Sequence, residues 1–237
     1  MYKNRMSALL SAMLMITVVL GLTGCFAGKR ASSAQFSGWM TKDEYKLLKQ
    51  NKGKDKPIYG YVKPDVNYAF YTKMMIDPVV VYRPNKEAAP EDLQKAANNF
   101  YSILVNTLKK DYQMAVEPGP ATLRVQVAVT HVSEGSSTMQ AISSVIPIGI
   151  GASYMTDWVT GKPPFTGEAS IEVKIIDSRT GELLGAAVDR RIADRNMASV
   201  MSTWDAVVKV EEIWAKLFAF RLCQERGEKD CVPPAQE

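Results

Sequence analysis

Few residues in this chain are of a type that does chemistry. Its 237 residues include three cysteines and one histidine, so thiol and imidazole chemistry is confined to Cys25, Cys223, Cys231 and His131. His131 ends an alternating run and continues its apolar parity. No second histidine, free cysteine or carboxylate cluster accompanies it in the sequence, so neither a metal site nor a nucleophile–base pair can be assembled around it. Asp77 precedes Pro78, where a carboxylate more often hydrogen-bonds local backbone than acts as an acid. Glu168 and Glu172 share a strand face with Lys174. Two such carboxylates could serve a glycosidase, but charges alternating along the outer face of a strand are ordinarily solvated. Gly149-Ile150-Gly151 lacks the third glycine and the preceding strand of a phosphate loop. The expectation is no catalytic residue, no metal and no cofactor.

Cys25 carries the clearest chemistry. Lys3 and Arg5 precede an acid-free apolar run from Met6 to Leu20. That is the n-region and h-region of a secretory signal, and it is shorter than the roughly 20 apolar residues of a spanning helix. Leu22-Thr23-Gly24-Cys25 then resembles the bacterial lipobox, in which the thiol takes a diacylglyceryl group, the chain is cut before the cysteine and the new amine is acylated. Each acyl CH₂ placed in a bilayer contributes about 0.8 kcal/mol, so several chains together hold effectively permanently. Residues 1–24 are thus read as a signal peptide, with Cys25 as a lipid anchor. Phe26 stands where an Asp would favour the inner membrane, which points to the periplasmic face of the outer membrane. Losing Lys3 and Arg5 leaves 27 basic against 25 acidic groups, so the net charge falls from +4 to +2. So weak a charge gives nucleic acid little to hold.

In that oxidising compartment Cys223 and Cys231, separated by seven residues, are expected to form a disulfide around Gly227, tying the chain end to the last helix. Such a bridge contributes on the order of 2 to 3 kcal/mol in the chain-entropy picture. Two free thiols are the alternative. The spacing is not the C-x-x-C of a redox site.

The elements that position these residues follow in order. Residues 25–37 are small and polar, with Gly28, Lys29 and Arg30, and read as a flexible tether. Thr41 to Glu44 is a capping box with Met40 and Tyr45 at the staple positions, so a short helix starts at Lys42. Lys46, Lys49, Lys52, Lys54 and Lys56 follow, opposed only by Asp55. They read first as a solvated loop and second as a contact for anionic headgroups, each surface lysine adding about 1 kcal/mol. Tyr59–Val62 is extended. The run from Lys73 to Tyr82 is a strand that Pro78 makes an edge, a bulge or a break. A helix opens at Ala89-Pro90-Glu91-Asp92 and carries Leu93, Ala97, Phe100, Leu104 and Leu108 on one stripe. Leu123, Val125, Val127 and Val129 alternate with polar residues, one face buried and one wet. Glu168–Ile176, a turn at Asp177–Gly181, and Glu182–Ile192 form a hairpin. Ser202 to Asp205 caps a closing helix with Val207, Val210, Trp214, Leu217 and Phe218 as its stripe.

Between the strands lies the apolar segment 141–155. Ile142, Val145, Ile146, Ile148 and Ile150 are broken up by Pro147, Gly149 and Gly151, so it cannot span a bilayer as one helix. Two readings stand: a connection laid over the core, or an exposed loop meeting a partner, lipid or apolar ligand.

Several short motifs in fixed order complete the pattern: Ser37-Gly38-Trp39 with Tyr45, Tyr61 and Pro64; Ile76-Asp77-Pro78-Val79 within Tyr71 to Tyr82; Glu117-Pro118-Gly119-Pro120; and Asp177 to Glu182 before a Trp-rich last helix. Together with the lipobox they resemble an uncharacterised family of bacterial lipoproteins known only as a domain of unknown function. The resemblance implies a compartment and a class, with no catalytic residue or ligand. With 46% hydrophobic residues, residues 38–237 are expected to form one α+β domain, a two-layer sandwich with a mainly antiparallel sheet of about four strands under two long helices. The expected role is a non-enzymatic accessory or interaction module, partnered with the membrane through its lipid and with an envelope protein through residues 141–155 and the edge at Pro78. The alternative is a binder of lipid or another apolar ligand between sheet and helices. A hydrolase with dispersed residues is third.

Overall fold

The computed structural model describes residues 29–53, 55–82, 91–133, 168–192 and 203–234. In order these form β1 (Lys29–Arg30), α1 (Lys42–Leu47), β2 (Lys49–Gln50), β3 (Tyr59–Val62), a 3₁₀ turn at Tyr68–Phe70, β4 (Lys73–Ile76), β5 (Val80–Val81), α2 (Glu91–Leu108), β6 (Gln113–Met114), β7 (Thr122–Ser133), β8 (Glu168–Asp177), β9 (Leu183–Ile192) and α3 (Thr203–Glu225). No helix among the described residues is long and apolar enough to cross a membrane.

The centre of the sheet is the antiparallel trio β7, β8 and β9, extended by β3 and β2 on one side and by β4 and β6 on the other. β1 also pairs with β9, and β5 with β7. The mixed composition of strands and helices is as the sequence indicates, but the sheet is not. It has nine strand segments where about four were expected, and β4, β5 and β6 pair in parallel. The extra segments are only two to four residues long. They carry no periodicity of their own and exist because longer neighbours offer unpaired backbone.

Local chemistry explains most boundaries. Thr41 accepts from the Glu44 amide while Glu44 accepts from the Thr41 amide, so α1 starts with the full capping box. The Asp177 side chain accepts from the amides of Arg179 and Thr180, each at 2.9 Å, and Gly181 closes the β8–β9 turn with φ +74°. Pro78 breaks its strand: β4 and β5 both pair with β7, and Asp77 and Tyr82 donate backbone hydrogen bonds to Val125 and Val129.

Two bulges reset the alternation. Between Val129 and His131 the register against β8 slips by one residue. His131 therefore pairs with Ser170, one position out of the register that unbroken alternation would give. At the other bulge Ile175 faces Gly185 and Ile176 faces Leu183, so Leu184 is the extra residue. Its freed carbonyl accepts from the Tyr68 hydroxyl at 2.7 Å and from the Lys63 amide at 2.8 Å.

Most of the core lies between the sheet and the pair α2–α3, with Phe100, Leu104, Leu108, Met74, Leu123, Val125, Leu184 and Trp214 buried there. A second, smaller cluster of Met40, Ala186 and Val188 covers the opposite face of β9, joined by Trp39, Tyr45, Tyr59 and Tyr61. The sheet is thus covered on both sides over part of its area, so the two-layer description with a wet outer face does not hold there. Residues 29–37, read as tether, lie along the domain: Ala31 is buried and donates to the Arg190 carbonyl, and the Ser37 amide donates to Glu172.

Candidate functional site

The sequence's candidate acids are consumed by structure. Glu172, expected on a solvated face, is 0% exposed. Its two oxygens accept from the Ser37 amide at 2.8 Å and the Tyr45 hydroxyl at 2.7 Å. The same hydroxyl accepts from the Gly38 and Met40 amides. Burial, then the hydrogen bond to Glu172, raises the Tyr45 pKa above its ordinary value. Lys174 lies 4.7 Å from the Trp39 ring centre and 3.6 Å from Glu44. The N-terminal segment has folded over these charges, which strand alternation alone could not indicate.

Asp77 accepts from Arg124 Nε and from Gln126 Nε2 at 2.8 to 3.0 Å; its partners are side chains two positions apart on β7, not local backbone. Glu168 pairs across from Ser133 and Ile192. His131 is six residues along β7 from Val125, which receives the Asp77 amide, roughly 20 Å at strand rise. The fold does not bring Asp77, His131 and Glu168 to one point.

Cys223 and Cys231 are joined in a disulfide with Cα atoms 5.7 Å apart. Glu228 lies beside them, but sulfurs bonded to each other offer no thiolate to an ion. Cys25 and the segment with Ile142, Val145, Ile146, Ile148 and Ile150 lie outside the described residues.

What the sequence did not single out is a cavity of about 300 Å³ between the sheet and the C-terminal half of α3. Val127, Ile171, Val173 and Leu184 form its floor, and Phe100, Leu104, Trp214 and Phe218 its roof. Volume survives there because β9 carries Gly185 and Ala187 on this face, where branched residues would fill the space. A Cβ at Gly185 would make only ordinary contact with the Tyr61 carbonyl at 3.4 Å and with Ile175 at 3.5 Å. At one end Asp189 accepts from Trp214 Nε1 at 2.9 Å and the Ile58 amide at 3.2 Å, with Arg191 at 3.5 Å. Burial pushes the Asp189 carboxyl up against the pull of Arg191, and it pushes the Arg191 guanidinium down. With its oxygens engaged, Asp189 positions Trp214. Near the β2–β3 hairpin the lining becomes charged and more exposed, with Lys49, Asp55, Lys56, Arg221 and Glu225 forming its mouth. Arg221 pairs with Glu225 at 3.3 Å and approaches Asp55 at 3.9 Å. An apolar interior with a charged rim suits an apolar or amphiphilic ligand. The available signal was the Gly-Ala-Ala run inside an otherwise bulky strand.

This chain belongs to DUF3313, a family described as a protein of unknown function, which matches residues 35–218. No curated protein matches it. Among solved structures it is similar to a PelC dodecamer subunit from Paraburkholderia phytofirmans, at 11% identity and TM-score 0.38, over 72% of this chain and 96% of that one. A DUF4136 family protein from Bacteroides thetaiotaomicron aligns at 12% identity and TM-score 0.35, over 71% and 95%. A PDZ domain protein from Parabacteroides distasonis aligns at 11% and 0.38, over 67% and 34%.

Proposed function

We propose that this DUF3313 member is a non-enzymatic, lipid-anchored envelope protein at the periplasmic face of the outer membrane, and that its domain binds an apolar ligand between sheet and helices. The observation that supports this reading is the cavity of about 300 Å³, walled by aliphatic and aromatic side chains and open at one rim. Apolar walls around a space of that size forgo dispersion contacts that an apolar ligand would restore. Its volume lies at the small end of known ligand sites.

The test is to purify the mature protein under mild and delipidating conditions, look for a co-purifying lipid by native mass spectrometry, and titrate palmitate against the delipidated form. A ligand at a hundred times its Kd would stabilise the fold by about 2.7 kcal/mol. Ala187→Leu, which fills the cavity, should abolish that gain. A melting temperature unmoved by palmitate, with nothing co-purified, would count against the reading.

The second reading, an accessory module that meets an envelope protein, is supported by β5, which among the described residues pairs only with β7 and exposes Val80. In-cell crosslinking from near Ile148 and Val80 that captured no protein would count against it.

A further inference from the structure

We propose that the occupant of the cavity is one acyl chain of an anionic phospholipid taken from the membrane surface, with its headgroup held by Lys49 and Lys56 at the mouth. This rests on the ligand-binding reading above and adds the ligand's charge and its source.

Three independent placements converge on the same rim. First, the mouth carries more positive than negative charge, with Lys49, Lys56 and Arg221 against Asp55 and Glu225. Arg221 is engaged by Glu225 and approaches Asp55, and Lys46 is paired with Asp43 at 2.8 Å. Among the described residues Lys49, Lys52 and Lys56 form no ion pair, so the hairpin presents uncompensated positive charge beside an apolar opening. A free phosphodiester complements that charge, and a neutral headgroup does not.

Second, the chain's own entry point is at this rim. β1 pairs with the end of β9, and Arg30 Nη2 donates to the carbonyls of Asn51 at 2.8 Å and Pro57 at 3.3 Å. Asn51 and Pro57 both line the mouth. Four residues separate Arg30 from Cys25, so their Cα atoms are at most about 18 Å apart. A lipid on Cys25 would therefore hold the opening against the bilayer, whose own lipids become the nearest source of acyl chains.

Third, the hairpin beside the mouth is closely packed and fixed in place. A Cβ at Gly60 would meet Asn51 Nδ2 at 3.0 Å and Pro57 Cγ at 3.3 Å, so the hairpin packs on a glycine. Asn51 Nδ2 donates to the Pro57 carbonyl at 3.0 Å. Closure of the loop on itself keeps Lys49 and Lys56 at the rim with their ammonium groups free to meet a phosphate.

The experiment reconstitutes the full mature protein in vesicles containing phosphatidylglycerol with a diazirine on one acyl chain, and in parallel phosphatidylcholine with the same chain. Photoadducts are mapped by mass spectrometry in wild type and in a Lys49→Glu/Lys56→Glu variant, both positions being solvent-facing enough to leave folding intact. Labelling on the wall segments 171–175 and 214–218 is expected with phosphatidylglycerol. It should fall on the order of tenfold with phosphatidylcholine or in the double variant. Equal wall labelling by both lipids, unchanged in the variant, would overturn the anionic assignment while leaving a ligand cavity in place. Wall segments unlabelled by either lipid would overturn the membrane source, and palmitate titration would then decide whether the cavity binds anything. Unlabelled walls together with palmitate binding only after Cys25→Ala would assign the cavity to the protein's own acyl chain instead.

Discussion

The two faces of the central sheet are covered by different physics. On the helix face, α2 and α3 close over a large apolar cluster in which Phe100, Leu104 and Leu108 are almost entirely shielded. On the outer face a short arm, residues 31–48, covers a small cluster around Met40, Ala186 and Val188. It is fastened by a few polar bonds that converge on Glu172 and Tyr45. Phe36 adds a stacked contact with Tyr45 at 4.5 Å. Burial of area is non-directional and tolerates adjustment, whereas a buried carboxylate with two donors is satisfied only in one arrangement. The helix face should therefore govern global stability, and the outer face should govern where the N-terminus, and with it any anchor, is held.

That contrast can be broken at its strong end first. Phe100→Ala, at a site 1% exposed, should cost about 3 to 5 kcal/mol and lower the unfolding midpoint of the whole domain in chemical denaturation. A loss below about 1 kcal/mol would mean that the helix layer is not the main source of stability. Glu172→Ala should cost about 2 kcal/mol, because the Tyr45 hydroxyl and Ser37 amide lose a buried acceptor. Hydrogen exchange should show the loss in residues 31–48 while α2 keeps its protection. Equal deprotection of both would dissolve the distinction between the faces.

Glu211 sharpens the comparison from inside the helix layer. It is buried between α2 and α3, and Asn99 Nδ2 donates to it at 2.6 Å. Burial, only partly opposed by that hydrogen bond, raises its pKa from 4.5 to about 8. The native state thus binds more protons than the unfolded chain between those values, and stability should fall as pH rises from about 4.5 to about 8. Glu211→Gln should flatten that slope and stabilise the fold at pH 8 by on the order of 2 kcal/mol, read from melting curves at both ends of the range. At the weak end, Thr41→Ala removes the cap of α1 and should cost about 1 kcal/mol or less, visible only as faster exchange in the arm.

Much of the fold follows from local rules. The α1 capping box, the β8–β9 hairpin around Asp177 and Gly181, the break at Pro78 and the apolar stripes of α2 and α3 all depend on residues close in sequence, and the structure has each of them. The Cys223–Cys231 disulfide follows from the same kind of reasoning about spacing and compartment. The errors are equally specific. The register of β7 shifts before His131 because Thr130 is an extra residue, and one bulged residue leaves no mark on hydrophobic alternation. Glu172 and Lys174 read as solvated because strand periodicity identifies two faces but not what lies on each. The cavity was marked only by small residues at 185–187, which could equally have been packed tight by larger partners opposite.

The sequence by itself determined the long elements and their polarity, because helix caps, turn residues and side-chain period act over a few residues along the chain. Tertiary structure alone decided that an N-terminal arm buries Glu172 some 135 residues away, that Asp189 is spent on orienting Trp214, and that an apolar cavity opens beside uncompensated lysines. Those outcomes depend on which surfaces meet after the chain closes long loops, and no local pattern records the identity of the surface on the other side.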